Sequence, residues 1–183
     1  MKYLKIVIAM ISFTISDGQI ALPTIQAVHK PHNASNGTPE NPLGDSGLIP
    51  SNINVGWNWM MGHTFTPQVN GSITQLGGYF NGTKTVRLWQ YSSGALLGSV
   101  SHTGSNNWTY TNLSSHVSVT AGTKYVVAVA LNGSGGAYRR DNTHPIGNTY
   151  GNIVIECNVL QSSYDSDVMP NWSQPCRTDY WFG

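Results

Sequence analysis

Lys124-Tyr125-Val126-Val127-Ala128-Val129-Ala130-Leu131 is apolar at both alternating sets of positions: Tyr125, Val127, Val129 and Leu131 on one side, Val126, Ala128 and Ala130 on the other. Successive side chains of a strand point to opposite faces, so this stretch predicts a strand covered on both faces, at the centre of a sheet. Val86 to Tyr91 reads differently. Val86 and Leu88 share one side, while Arg87, Trp89 and Tyr91 share the other. That strand is expected to set one face on the core and the other toward solvent or a partner.

Working outward, turn residues recur at short intervals, with Asn-Gly pairs at Asn70-Gly71, Asn81-Gly82 and Asn132-Gly133 where left-handed backbone is tolerated. Between them the pattern predicts strands near Trp57–Thr66, Ser72–Phe80, Thr83–Tyr91, Ala95–His102, Trp108–Leu113, His116–Val119, Lys124–Leu131, Ala137–Arg140, Asn152–Leu160 and Thr178–Phe182. No stretch of helical period intervenes that could make a βαβ crossover, so neighbouring strands must run mostly antiparallel. The expected class is all-β, an antiparallel β-sandwich of immunoglobulin-like or jelly-roll-like kind. Long helices are not expected apart from the N-terminal signal segment.

Three regions are expected. Lys2 and Lys5 precede an apolar run from Ile6 to Ile15 that is short for a membrane span, the pattern of an export signal over residues 1–18. Residues 19–50 are rich in Pro, Asn, Gly and Ser and read as an extended arm or linker. Its apolar part, with Ile20, Leu22, Ile25 and Val28 around Pro23, could lie as an edge strand on its own domain or on a neighbour's. Residues 51–183 form the β domain. The protein is therefore expected to be secreted or at the cell surface, with no membrane span once the signal is cut. In such a compartment the two cysteines, Cys157 and Cys176, are expected to be bridged. That bridge closes a loop of about 20 residues and is worth on the order of 3 kcal/mol in the chain-entropy model.

Several segments together resemble a known family: Phe65-Thr66-Pro67-Gln68-Val69-Asn70-Gly71-Ser72-Ile73-Thr74, Val86-Arg87-Leu88-Trp89, Gly94-Ala95-Leu96-Leu97, and Val117-Ser118-Val119-Thr120-Ala121-Gly122-Thr123-Lys124-Tyr125. They are similar to an uncharacterised family of bacterial secreted, immunoglobulin-like β-sandwich modules found on surface proteins, adhesins and carbohydrate-active enzymes. The resemblance implies the fold and an accessory, non-catalytic role.

Composition narrows the chemistry. Charged residues make up 9% of the chain and the net charge is +1, so no basic field exists to hold nucleic acid. The acids of the mature chain, Glu40, Asp45, Asp141, Glu156, Asp165, Asp167 and Asp179, are few and scattered, and no enzymatic activity is expected. No cofactor is expected either. Asp165 and Asp167, in one loop, are the candidates for a structural calcium, since that ion takes carboxylate and carbonyl oxygens.

Six Trp and nine Tyr exceed what a small core uses, and exposed rings can stack on sugars while neighbouring polar groups bind hydroxyls. Tyr138, Arg139, Arg140, Asp141, Trp108 and Trp172 are the candidate ligand-binding residues. Two roles therefore compete. In the first, the protein is a structural subunit of a surface fibre or coat, self-associating as its arm packs on a neighbouring subunit. In the second, it is a carbohydrate-binding or adhesive module acting through exposed aromatics.

Overall fold

The doubly apolar stretch becomes a strand, Tyr125–Ala130, and it lies inside a sheet with a neighbour on each side. The computed structural model describes residues 39–47, 49, 52–54, 59–131, 136–139, 147–161, 165–170 and 181–182, with backbone alone at 52–54, 136–139 and 181–182. In chain order these hold a one-turn helix α1 (Pro42–Asp45) and nine strands: β1 (Asn52–Asn54), β2 (Met60–Pro67), β3 (Gly71–Gln90), β4 (Leu96–Val119), β5 (Tyr125–Ala130), β6 (Gly136–Arg139), β7 (Thr149–Tyr150), β8 (Ile153–Gln161) and β9 (Trp181–Phe182). All pair antiparallel in one sheet, ordered β1-β6-β3-β5-β2-β8-β7, with β4 on β3 and β9 on β6. The all-β, antiparallel class is thus as expected.

The sheet curls. A straight strand as long as β3 would reach roughly 65 Å at about 3.3 Å per residue, too long for a small core to cover. Instead the β3–β4 hairpin bends, and its register slips between Phe80 and Asn81, where Asn106 is the extra residue. Gly82 on β3 and Asn106 on β4 both have positive φ, 76° and 55°, the backbone a bulge of this kind uses. Asn81-Gly82 therefore bends a continuous strand, where the sequence pattern predicts a break between two strands. Beyond the bend β4 comes back on itself: a Cβ added at Gly98 would meet Leu113 Cδ2 at 2.8 Å and Val117 Cγ2 at 3.5 Å.

Between the two arms of the curl lies the main core, built from Met61, Phe65, Leu76, Phe80, Val86, Leu88, Val100, Leu113, Val119, Tyr125, Val129, Leu131 and Ile155. Phe65 and Tyr125 stack at 5.7 Å. The Thr120 N–H donates to Tyr125 Oη at 3.0 Å, so the ring both fills the core and ties the preceding turn, which Gly122 completes at φ 74°.

His102 holds the bend from inside. It is buried on β4, yet its Nδ1 and Nε2 lie 2.8 Å and 2.9 Å from the hydroxyls of Thr111 and Thr109, on the far arm of the same strand. Its ring meets Phe80 edge-on at 5.4 Å. Burial pulls its pKa below the usual histidine value of 6.5. Because the folded pKa lies below the unfolded one, the stability this neutral ring supplies is present above about pH 6.5 and is lost as pH falls through the folded pKa. Urea midpoints followed downward from pH 7 should therefore fall less steeply in His102→Gln than in the wild type. Identical slopes would show that other groups set the acid response.

A second, smaller core lies on the opposite face of the sheet: Met60, Trp89, Val126, Ala128 and Val159, with Met169 packed against them. Residues 165–170 form a strap over it. Arg87 Nε donates to Asp167 Oδ1 at 2.8 Å, Arg87 Nη1 forms an ion pair with Asp165 Oδ1 at 2.8 Å, and Trp89 Nε1 donates to the Asp167 carbonyl at 2.9 Å. The expectation that Arg87 and Trp89 face solvent or a partner is corrected: they are 8% and 0% exposed, covered by the chain's own later segment. Tyr91, on the same side, is 43% exposed.

An aromatic face on the long hairpin

From Gln75 to Phe80 the hairpin register is regular: Gln75 faces Asn112, Gly77 faces Tyr110 and Tyr79 faces Trp108. The intervening residues Leu76 and Phe80 belong to the core, and Thr109 and Thr111 hold His102. By alternation, Gln75, Tyr79, Trp108, Tyr110 and Asn112 share the other face of the hairpin, although Trp108 also packs against the main core. Gln75 and Asn112 are exposed and the three rings half-buried.

Two contacts shape this face. The Tyr79 and Trp108 rings meet at 5.9 Å and 72°, an edge-to-face pair that fixes both orientations. Gln75 Nε2 donates to Asn112 Oδ1 at 2.7 Å, leaving the outer amide groups of both side chains for another partner. Gly77 separates Gln75 from Tyr79 and has to be glycine. A Cβ there would overlap the Thr109 carbonyl oxygen and come 2.7 Å from Tyr110 Cα. Gly77 thus lets the two strands approach closely at Tyr110, with the rings of Tyr79 and Trp108 on one side of that position and the amides of Gln75 and Asn112 on the other.

The end of the N-terminal arm borders this face. Leu43 packs on the core, and a Cβ at Gly44 would come within 2.7 Å of Tyr110 Oη and 3.4 Å of Trp108 Cβ. Glu40 accepts from the Asn152 backbone N–H at 2.9 Å and from Asn152 Nδ2 at 2.5 Å. Burial raises the Tyr110 phenol above its usual pKa; a hydrogen bond from the Gly44 backbone opposes this and the Asp45 charge adds to it. Tyr110 is thus a neutral hydroxyl at physiological pH. Residues 39–47 lie on their own domain, while Ile20, Leu22, Ile25 and Val28 lie outside the described residues.

Of the other residues singled out from the sequence, Trp108 is on this face. The backbones of Tyr138 and Arg139 are on β6, which meets β3 at Phe80 through Gly136 and has β9 beside it at Tyr138 and Arg139. Arg140, Asp141 and Trp172 lie outside the described residues. Asp165 and Asp167 are drawn together by Arg87, and among the described residues no group of three or more His, Cys, Asp or Glu is placed to hold a metal. Cys157 is disulfide-bonded; Cys176 lies outside the described residues. Tyr79, Gln75 and Asn112 were not legible as site residues, because only the register of the bent hairpin puts them beside Trp108.

Elsewhere on the sheet Glu156 accepts from the Thr66 hydroxyl at 2.5 Å and pairs with Lys124 at 2.5 Å, and Lys124 lies over the Tyr91 ring at 5.3 Å. Both oxygens of this carboxylate are engaged by structural partners, which fixes the turn end of β5 to β2 and β8. Among the described residues no helix is long and apolar enough to cross a membrane.

The fold defines the molecule as an all-β domain built on one curled antiparallel sheet. Residues 50–182 match the model of the family described as Domain of unknown function (DUF4082), and the chain belongs to that family. No curated protein matches it.

Proposed function

We propose that the domain is an extracellular, non-catalytic carbohydrate-binding module whose contact surface is the outward face of the bent hairpin. The observation that carries this reading is the grouping of Tyr79, Trp108 and Tyr110 with the amides of Gln75 and Asn112 around the side-chain-free position at Gly77. A sugar ring offers an apolar C–H face to an aromatic ring and hydroxyls to amides at its rim, and this face supplies both. None of these groups is charged, which suits a neutral polysaccharide. The export-type N-terminus and the low charge agree with an extracellular setting.

The test is affinity electrophoresis of the mature protein against soluble β-glucan, xylan, mannan and glycol chitin. Retardation by at least one of them is expected. Tyr79→Ala and Asn112→Ala should each weaken that interaction roughly tenfold, about 1.4 kcal/mol; the exposed Asn112→Ala should barely change the melting temperature, whereas Tyr79→Ala also loses its edge contact with Trp108 and should lower it modestly. Failure of all four polysaccharides to retard the wild type would sink the reading.

A further inference from the structure

β4 runs for 24 residues and, among the described residues, pairs with β3 alone. An open edge presents a row of backbone donors and acceptors to any other strand, and proteins ordinarily blunt it with charge, proline or brevity. β4 is long and has neither charge nor proline; its protection is the bulges at its register slips, which leave the stretch between them open. From Leu96 to Val119 it contains no Asp, Glu, Lys, Arg or Pro. β7, the last strand at the other end of the sheet path, is only two residues long.

The useful part of the edge is its straight portion. Between two register slips, Gly98 to Ser105 pairs in unbroken order with Leu88 to Asn81. Ser99, Ser101, Thr103 and Ser105 are exposed there, while Val100, His102 and Gly104 are buried. Roughly every second residue of such a run points both its N–H and its C=O away from β3. The backbone thus specifies the occupant as an extended strand, and the side chains specify its composition. Small hydroxyl residues already pair well with this strand: Thr83 on β3 meets Thr103 hydroxyl to hydroxyl at 2.8 Å.

We infer that β4 is a self-association surface, on which β4 of a second copy adds antiparallel across a two-fold axis centred within Gly98 to Ser105. Antiparallel pairing of a strand with itself is isologous, so the same patch serves both molecules and the assembly closes as a dimer. An uncharged, small-residue edge is complementary to its own copy, since no like charges oppose each other across the axis. This surface is separate from the aromatic face and stands or falls without it.

Sedimentation velocity of the mature full-length protein across a concentration series tests the inference, alongside hydrogen exchange of the β4 amides. A concentration-dependent dimer is expected, with protection of alternate amides in Gly98 to Ser105 that grows with concentration. Ser101→Lys and Ser105→Lys place a charge within the paired stretch on exposed side chains that the fold does not use for packing. Each should raise the dimer dissociation constant at least tenfold while leaving the melting temperature of the dilute protein unchanged. A monomer throughout the sub-millimolar range would overturn the inference. So would an oligomer that is indifferent to both lysines but lost on deleting residues 19–28, since the arm would then be the contact.

Discussion

Trp89→Ala should cost about 3–5 kcal/mol, the usual range for truncating a fully buried tryptophan, and should do so through two structures at once. The ring is wholly buried in the second core against Met60, Val126, Ala128 and Val159, and its Nε1 holds the strap at the Asp167 carbonyl. Truncation removes the packing and frees the strap, so Met169 and Pro170 lose their support together. Urea denaturation measures the cost, and limited proteolysis near residues 165–170 reports the release. The double change Asp165→Asn with Asp167→Asn isolates the ion pairs. It keeps the backbone bond to Trp89 and strips the nearly buried Arg87 of its counter-charges. Because those carboxylates are 42% and 74% exposed, the expected loss is only about 1–2 kcal/mol. A loss as large as that of Trp89→Ala would make the strap primarily electrostatic and reverse the order argued above.

Gly62→Val should destabilise the fold severely. Gly62 sits on β2 opposite Ala128, and a Cβ there would overlap the Val127 carbonyl oxygen and lie 2.7 Å from Val127 C. β2 is held between β5 and β8, so it cannot back away from one without opening the other. Overpacking ordinarily costs about 1–3 kcal/mol and occasionally more; because the overlap here is with main chain rather than a movable side chain, a loss of about 3 kcal/mol is expected, a large share of the roughly 5–15 kcal/mol that stabilises a typical domain. Gly71→Val is the matched control. It lies at a strand end with nothing within 4 Å of a new Cβ, and its change should stay within about 0.5 kcal/mol. Soluble, folded Gly62→Val protein with an unchanged circular dichroism spectrum would show that β2 and β5 can separate locally.

What could be read from the chain follows from how local each signal is. The central position of β5 was legible because a strand buried on both faces must be apolar at every position, and the seven residues from Tyr125 to Leu131 say so by themselves. The cover over Arg87 and Trp89 was not, because it comes from Asp165 and Asp167, about eighty residues later, and nothing near Arg87 announces it. At Asn81-Gly82 the sequence marks a backbone that tolerates positive φ. Whether such a backbone reverses the chain or bends it depends on the partner strand, where Asn106 supplies the extra residue. The candidate site divides in the same way. Trp108 stood out as a surplus ring, but Tyr79, Gln75 and Asn112 become its neighbours only through a hairpin register that the predicted strand breaks obscured.

The place of β2 in the sheet sets the order in which the molecule can be completed. One of its neighbours, β5, follows within about seventy residues, but the other, β8, begins only at Ile153. As the chain is synthesised, the hairpin of β3 and β4 has all its partners within reach early, while one side of β2 waits for nearly the whole sequence. Contacts of such long range form slowly and leave an unpaired strand open to wrong partners in the interval. A partly emerged chain therefore has a formed hairpin and an unsealed sheet, and truncation within or before β8 should yield an aggregating product rather than a smaller domain.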